Sequence, residues 1–212
     1  MDFSYPKSYQ SLCDRLNLNQ GLPYTKDWSA AADFLELIVD HALQEKPEVV
    51  VECSSGLTTL MLARCCQMNG QGHVYSLENG AEYAQATRDA LAHYGLSETA
   101  TVLNAPLIDI FLGEREFQWY SVEDLSADQI DMLVIDGPPG FIQIHSRYPA
   151  LPVLMDKFAD VCEVYLDDAG RDQERELVAQ WLHDFSMLIH DFVETERGCS
   201  ILRLEKHVEV GD

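Results

Sequence analysis

The sequence predicts an α/β fold built on a doubly wound, mostly parallel β-sheet that ends in an antiparallel hairpin. Short apolar runs alternate along the chain with segments of helical hydrophobic spacing, which is typical of a parallel sheet covered by helices on both faces. The run Val49–Val51 is β-branched and continuous, as expected of a strand buried on both faces. The last two apolar runs are joined through Glu196-Arg197-Gly198, which indicates a hairpin and not a helical crossover.

The predicted elements follow from this spacing and from the residues that interrupt it. Glycine, Asn-Gly and proline end the helices, because these residues terminate or cannot continue helical backbone. Helices are expected over 31–43, 57–68, 81–94, 147–158 and 171–183. Strands are expected over 49–51, 73–78, 101–105, 132–136 and 163–167, followed by the hairpin runs 187–194 and 200–205. Thr25 or Asp27 is a candidate cap for the first helix, and residues 106–130 show a less regular pattern.

The composition is that of one globular domain, with 47% hydrophobic residues in a chain of 212. Residues 1–26 are predicted to form an N-terminal cap segment and residues 27–212 the main domain. The net charge of −22 repels a phosphate backbone, so nucleic acid is not the expected partner. A solvated acidic surface that aids solubility is the simplest interpretation of the charge.

The sequence lacks signals for a membrane or for an oxidising compartment. It has no run of about 20 apolar residues, and its first ten residues lack the order of a signal peptide. We therefore predict a cytoplasmic protein without a membrane partner. The six cysteines form no CxxC pair, and we predict that they are reduced and mostly buried. A redox or metal role for adjacent Cys65 and Cys66 is the alternative.

Small and acidic residues follow the first two strands, at the carboxyl ends where ligands of parallel sheets bind. The turn Cys53–Gly56 opens a helix and lets backbone N–H groups approach a ligand, although a ligand-free turn is the alternative. It lacks the glycines of the G-x-G-x-x-G motif, which counts against NAD or FAD. Glu78 ends the second strand, where a carboxylate accepts hydrogen bonds from two ribose hydroxyls, although a surface acid is the alternative.

Further carboxylates follow the fourth and fifth strands. Asp136 ends the fourth, and Asp167 and Asp168 follow the fifth. Carboxylates after neighbouring strands face one crevice, where they can bind a hard cation, orient a substrate or accept a proton. The alternatives are that Asp136 caps the next turn and that Asp167 or Asp168 caps the helix beginning near Arg171.

Five short motifs together resemble a class I S-adenosylmethionine-dependent methyltransferase, most closely the small, catechol O-methyltransferase-like branch. They are E-C-S-S-G-L-T-T, Y-S-L-E, N-A-P-L, V-I-D-G-P-P-G and L-D-D-A-G-R, in the order of the five strands. The resemblance covers roughly residues 27–205. It implies a Rossmann-like sheet of seven strands with an antiparallel last strand, which the terminal hairpin matches.

The resemblance also implies roles for individual residues. It places Glu52, Ser54 and Gly56 around the methionine moiety of S-adenosylmethionine (SAM), Glu78 on its ribose, Asn104 and Ala105 near the adenine, and Asp136 beside the cofactor. In the metal-using branch, Asp136, Asp167 and Asp168 would hold a magnesium ion (Mg²⁺). Two positions depart from the family: Ser54 replaces the usual glycine, and Asp168 stands where a metal ligand is often asparagine.

The predicted function is methyl transfer from SAM to a small-molecule acceptor, at a hydroxyl oxygen. Either a metal or Asp136 would remove the acceptor's proton, with Asp168 and Arg171 in the same catalytic group. His145 and Arg147 are further polar candidates, and simple neutralisation of the acids is the alternative for an arginine.

The acceptor pocket is expected to come from residues 1–26, 106–130 and 138–150. Trp28 and the pair Trp119-Tyr120 either wall an aromatic acceptor or pack in the core. A non-catalytic SAM-binding sensor or partner protein and a nicotinamide-dependent oxidoreductase are the alternative functions. The sequence leaves the use of Mg²⁺ and the formation of a homodimer open.

Overall fold

The structure, a computed structural model, describes residues 5–205 and places the helices and strands in alternation, as the hydrophobic spacing predicts. The α-helices are α1 (Gln10–Arg15), α2 (Ala32–Glu45), α3 (Leu57–Asn69), α4 (Ala81–His93), α5 (Ala150–Leu154) and α6 (Asp172–Asp184). The strands are β1 (Val49–Cys53), β2 (His73–Glu78), β3 (Ala100–Asn104), β4 (Leu107–Leu112), β5 (Arg115–Tyr120), β6 (Ile130–Ile135), β7 (Phe158–Leu166), β8 (Leu188–Val193) and β9 (Cys199–Glu205).

Within residues 5–205, the main sheet has seven strands in the order β3-β2-β1-β6-β7-β9-β8. The first five of these are parallel, whereas β9 runs antiparallel to both of its neighbours, β7 and β8. Val51 at the centre of the sheet pairs with Tyr75 on β2 and Leu133 on β6. This arrangement confirms the predicted fold, including the antiparallel hairpin at its end.

Apolar side chains cover both faces of the sheet. Val50 packs in one core cluster with residues of α1–α4, and its neighbour Val51 packs in a second cluster with residues of α5, α6 and β5. Successive side chains of a strand point to opposite faces, which explains why the central strands are apolar without alternation. Leu12 and Leu16, from the predicted cap segment, are buried in the same cluster as α2.

Residues 106–130 contain the β4–β5 hairpin, which the sequence pattern did not predict. The turn between the strands includes Gly113, whose φ of 63° lies in the left-handed region that glycine adopts at little cost. Trp119 and Tyr120 on β5 are buried in a core cluster, which favours the core-packing alternative for this pair.

Two other local predictions are wrong. The helix predicted over 147–158 is limited to α5 and a 3-10 turn, since Pro149 disfavours helical backbone at the residue before it. Phe158 instead pairs with Ile130 and begins β7. Helix α2 starts only after Ala31, so Thr25 and Asp27 do not cap it.

All six cysteines lie within residues 5–205, where they are buried and free of disulfides, as predicted. Burial raises the pKa of Cys65 to about 12 and that of Cys66 to about 11. Both thiols are therefore protonated at neutral pH, which argues against a redox or metal role. No helix among the described residues is long and apolar enough to cross a membrane.

Candidate functional site

A cleft of about 560 Å³ opens at the carboxyl edge of the sheet, beside the ends of β1, β6 and β7. Its lining includes Asp27, Trp28, Ser54, Asp136, Phe141, Arg147, Asp168, Arg171, Glu174 and Arg197. Of the three segments expected to build the acceptor pocket, 138–150 contributes to this lining. The loop after β7, the first turn of α6 and the turn before β9 supply residues that sequence reasoning did not assign to the acceptor pocket.

The turn after β1 is held by the buried carboxylate of Glu52. Thr58 and Thr59, in the first turn of α3, both donate hydroxyl hydrogen bonds to this carboxylate. Burial raises the pKa of Glu52 to about 7. The sequence resemblance places this turn around the methionine moiety of SAM. Glu52 is fully buried, so it shapes the turn by accepting hydrogen bonds from α3 and is not itself exposed to the cleft.

Ser54 and Gly56 give this turn its shape. Ser54 has a φ of 100° and Gly56 a φ of 143°, both in the region that favours glycine. Ser54 also lines the cleft, and its amide donates to the carbonyl of Leu77 on β2. The glycine that the family usually carries at position 54 would adopt this backbone without strain.

We predict that Ser54→Gly raises the free energy of unfolding by about 0.5–1 kcal/mol. Removing a positive-φ side chain relieves about 1–3 kcal/mol, and the added freedom of glycine in the unfolded chain cancels part of that gain. Ser55→Gly is the matched control and should destabilise, because it removes a hydroxyl that donates to Glu78. Urea unfolding measures both variants, and equal destabilisation by the two would contradict the argument.

Glu78 connects the turn after β1 to the loop after β2. Its Oε2 accepts hydrogen bonds from the Ser55 amide at 3.0 Å and the Ser55 hydroxyl at 2.9 Å, and its Oε1 accepts from the Gly80 amide at 2.8 Å. These bonds fix the orientation of a carboxylate that is only 6% exposed. Asn104 is the register partner of Glu78, and the Ala105 amide donates to the Glu78 carbonyl, so the three predicted residues lie together.

Asp136, Asp167 and Asp168 meet beside the cleft, as their positions after neighbouring strands predict. Each offers a carboxylate oxygen, and these three atoms lie within 4.8 Å of one another. Burial and repulsion by Asp167 raise the pKa of Asp136 to about 8, and burial and repulsion by Asp168 raise that of Asp167 to about 6. Helix α6 has Arg171 as its N-cap residue, with no side-chain cap, so neither Asp167 nor Asp168 caps it.

Three arginines surround these acids. Nη2 of Arg147 lies 2.9 Å from Asp168 Oδ2 and 3.4 Å from Asp136 Oδ1. Arg171 Nη2 lies 2.9 Å and Arg197 Nη1 lies 3.9 Å from Asp168 Oδ1. Guanidinium groups from three different segments of the chain thus pair with Asp168, and one of them, Arg147, also reaches Asp136.

Sequence reasoning missed Arg197, although it identified the turn that carries it. Because β9 lies between β7 and β8, this turn is placed against the end of β7. The Ala169 and Gly170 amides donate to the carbonyls of Gly198 and Arg197, each at 2.9 Å. The sequence predicts the hairpin but not which of its two strands pairs with β7, so it could not place Arg197 beside the acids.

A family model described as "Methyltransferase domain" matches residues 51–169, more than half of the chain. The chain belongs to this methyltransferase family. The match spans the turn after β1, Glu78, and the acids after β6 and β7, so it covers the site and not only the framework. It confirms the prediction of a methyltransferase. A search of curated proteins finds no match to the chain.

Solved methyltransferase structures share this fold. A methyltransferase of Podospora anserina, PaMTH1, solved with SAH, has a TM-score of 0.66 at 12% identity, over 95% of this chain and 89% of that one. An O-methyltransferase of Bacillus cereus in complex with SAH has a TM-score of 0.63 at 11% identity, covering 95% and 92%. The O-methyltransferase TomG of Streptomyces achromogenes, in complex with SAM, has a TM-score of 0.63 at 12% identity, covering 95% and 91%.

Two aromatic side chains stand at the cleft of this methyltransferase. Trp28 is 62% exposed and Phe141 is 80% exposed, and their rings pack edge to face with centroids 6.4 Å apart. Both residues line the cleft. His145 is one of the polar candidates from the sequence. It pairs with Glu176 on α6, with 2.9 Å between Nε2 and Oε2.

We predict that the stability of this methyltransferase depends on pH through Asp167. The pKa of Asp167 is higher in the folded protein than in the unfolded chain. The protonated side chain therefore contributes fully to the free energy of unfolding at low pH, and this contribution is lost as the pH rises through about 6. Asp167→Asn removes this dependence, and the variant should gain about 1–1.5 kcal/mol relative to the wild type between pH 5 and pH 7.5. Its Asn carbonyl can still accept from the Asp168 amide.

Urea unfolding at the two pH values tests this prediction. Asp156→Asn, which removes an exposed acid, controls for the loss of one charge. A difference between wild type and Asp167→Asn that does not change with pH would contradict it.

Proposed function

We propose that this methyltransferase transfers the methyl group of SAM to a hydroxyl oxygen of a small-molecule acceptor. One observation carries the proposal: Asp136 lines the same cleft as Ser54, and its pKa is raised to about 8. Ser54 belongs to the turn that would hold the methionine moiety of SAM. A carboxylate with such a pKa, beside the methyl donor, is suited to accept a proton near neutral pH.

The proposed SAM site extends along the carboxyl ends of β1, β2 and β3. Its support is the fixed Glu78 carboxylate beside the turn after β1, with Asn104 and Ala105 at the end of the next strand. Glu52, Ser54 and Gly56 would shape the methionine end, and Glu78 would accept hydrogen bonds from the ribose hydroxyls. The O-methyltransferases of similar fold were solved with SAM or SAH, which supports SAM as the ligand proposed for this site.

The chain's own task in the reaction is to orient the acceptor and remove its proton. Bound SAM would supply an electrophilic methyl group. The acceptor oxygen would take this methyl group and leave SAH as the co-product, and Asp136 would accept the hydroxyl proton. Asp168 and Arg171 form an ion pair next to Asp136 and maintain the charge balance of the cleft wall. Holding the acceptor oxygen close to the methyl group would supply a further part of the rate enhancement.

The residues present do not fit a resident Mg²⁺, and we derive no step through one. Mg²⁺ requires near-octahedral oxygen ligands at about 2.0–2.1 Å. Here Arg147 already occupies one carboxylate oxygen of each of two acids, Asp136 Oδ1 and Asp168 Oδ2. A metal would have to displace this guanidinium before it could use those oxygens.

The acceptor proposed here has a ring or other apolar body next to its hydroxyl group. Trp28 and Phe141 offer exposed aromatic surface at the cleft, whereas the cleft wall around Asp136 is polar. Aromatic rings contribute stacking and edge-to-face contacts to a ligand ring. These side chains would therefore hold the body of the acceptor while Asp136 contacts its hydroxyl.

Titration calorimetry with SAM and SAH, followed by a transfer assay, tests the function. We expect micromolar-range binding, as is common for small cofactor sites, and release of SAH when hydroxylated ring compounds are added. Mass spectrometry of the methylated product identifies the acceptor atom. Binding without turnover of any acceptor favours a sensor or partner protein, and binding of a nicotinamide cofactor in place of SAM favours an oxidoreductase.

We predict that the protein does not bind nucleic acid, even at low salt where electrostatic attraction is strongest. The net charge of −22 repels a polyanion, and the arginines of the cleft are paired with acids. Gel-shift titrations with duplex DNA and folded RNA provide the measurement. Tight binding that weakens steeply with added salt would redirect the proposal to nucleic-acid methylation.

A further inference from the structure

Arg147 is more deeply buried than the other two arginines of the cleft. Its side chain is 3% exposed, compared with 54% for Arg171 and 27% for Arg197. A single nitrogen, Nη2, lies 2.9 Å from Asp168 Oδ2 and 3.4 Å from Asp136 Oδ1. This nitrogen lies between two of the acids whose oxygens would otherwise be suited to a divalent cation.

The main chain also fixes this guanidinium. Nη1 donates to the carbonyl of Asp167 at 2.8 Å, and Nη2 donates to the carbonyl of Asp136 at 2.7 Å. These carbonyls immediately follow β7 and β6, so Arg147 is attached to the ends of two neighbouring strands. A planar guanidinium can reach four such oxygens at once because its donors are arranged as a rigid fork. Its position is therefore set by the fold as well as by charge.

We propose that Arg147 is the resident cation of this acid cluster. Its guanidinium takes the place between Asp136 and Asp168 that a divalent metal would need, and so makes the site metal-independent. Arg147 is a positioning residue, because it holds the Asp136 carboxylate at the cleft and does not itself contact the reacting atoms. The claim that catalysis needs no metal rests on the proposed methyl transfer. The claim that Arg147 excludes a metal from the acid cluster does not rest on it.

Binding of Mn²⁺, measured by electron paramagnetic resonance of the free ion, tests the proposal without an activity assay. We expect wild-type protein to show no Mn²⁺ binding that Asp168→Asn abolishes. Arg147→Met frees Asp136 Oδ1 and Asp168 Oδ2 and should therefore raise the affinity of the acid cluster for Mn²⁺ at least tenfold over that of the wild type. Arg171→Met is the matched control. It removes the same charge next to Asp168 but leaves Arg147 in place, so its Mn²⁺ binding should equal that of the wild type.

Three results would overturn the proposal. They are Mn²⁺ binding by the wild type that Asp168→Asn abolishes, folded Arg147→Met that binds no Mn²⁺, and an equal gain of affinity in Arg171→Met. If Arg147→Met is unfolded when no metal is added, folding on addition of millimolar Mn²⁺ supports the proposal. Failure to fold with Mn²⁺ present overturns it.

The transfer assay separates this inference from the proposed function. Activity that is unchanged by a chelator supports metal independence, and activity that a chelator abolishes and Mg²⁺ restores overturns it. If no acceptor is methylated, the proposed function fails while the Mn²⁺ measurements still decide the role of Arg147.

Discussion

Asp136→Asn should lower kcat for methyl transfer by about 10²- to 10⁴-fold, the usual contribution of a positioned general base. The amide keeps the size of the side chain but cannot accept the acceptor's proton. The pKa of Asp136 is raised to about 8, so the wild-type rate should rise with pH up to about 8 and level off above it. A general base acts only when deprotonated, which fixes the direction of this dependence, and the variant should lose it.

Steady-state kinetics from pH 6 to 9.5 check this prediction, and calorimetry with SAM checks that the cofactor site persists. Asp160→Asn, which neutralises an exposed acid on β7, is the control for net charge. Activity of Asp136→Asn within threefold of wild type, or an unchanged pH profile, would show that another group takes the proton.

The second large effect is expected at Glu78. Glu78→Ala should weaken SAM binding by about 1.5–3 kcal/mol, which is the value of hydrogen bonds to a charged group and corresponds to roughly 10- to 150-fold in Kd. Part of the loss would arise because the Ser55 and Gly80 amides lose their acceptor, which loosens the turn after β1. Titration calorimetry on folded variants measures the effect.

Two further variants separate these contributions. Glu82→Ala removes an exposed glutamate in the first turn of α4 and should leave SAM affinity unchanged. Ser55→Ala removes one hydroxyl donor to Glu78 and should give a smaller loss than Glu78→Ala. Unchanged affinity of Glu78→Ala would remove the ribose role from the proposed site.

The regular elements could be predicted because local rules determine them. The β-branched run in β1 and the glycines that end α3 and α4 specify strand and helix without tertiary information. The β4–β5 hairpin was missed because residues 106–130 gave no clear period. The helix predicted over 147–158 failed because the pairing of Phe158 with Ile130 extends β7 into it.

The candidate site could be predicted as far as it depends on strand ends. Asp136, Asp167 and Asp168 follow neighbouring strands, so their meeting could be inferred from the order of elements. The roles of the arginines could not, because Arg147 reaches the acids from a loop and Arg197 from the turn before β9. Which acid an arginine faces depends on backbone geometry that residue patterns do not encode.

The position of β9 has a consequence for how the protein is made. Two amides of the loop after β7 donate to carbonyls of the turn before β9, and Arg197 of that turn lies beside Asp168. The ribosome adds this turn only after β7 and α6 have been made. Chains fold from the N-terminus as they emerge, so the turn after β1 and Glu78 can form while this turn is still unmade. The turn after β1 and Glu78 can therefore form before Arg197 joins the acid cluster, and a nascent chain gains its full cleft only when the β8–β9 hairpin closes.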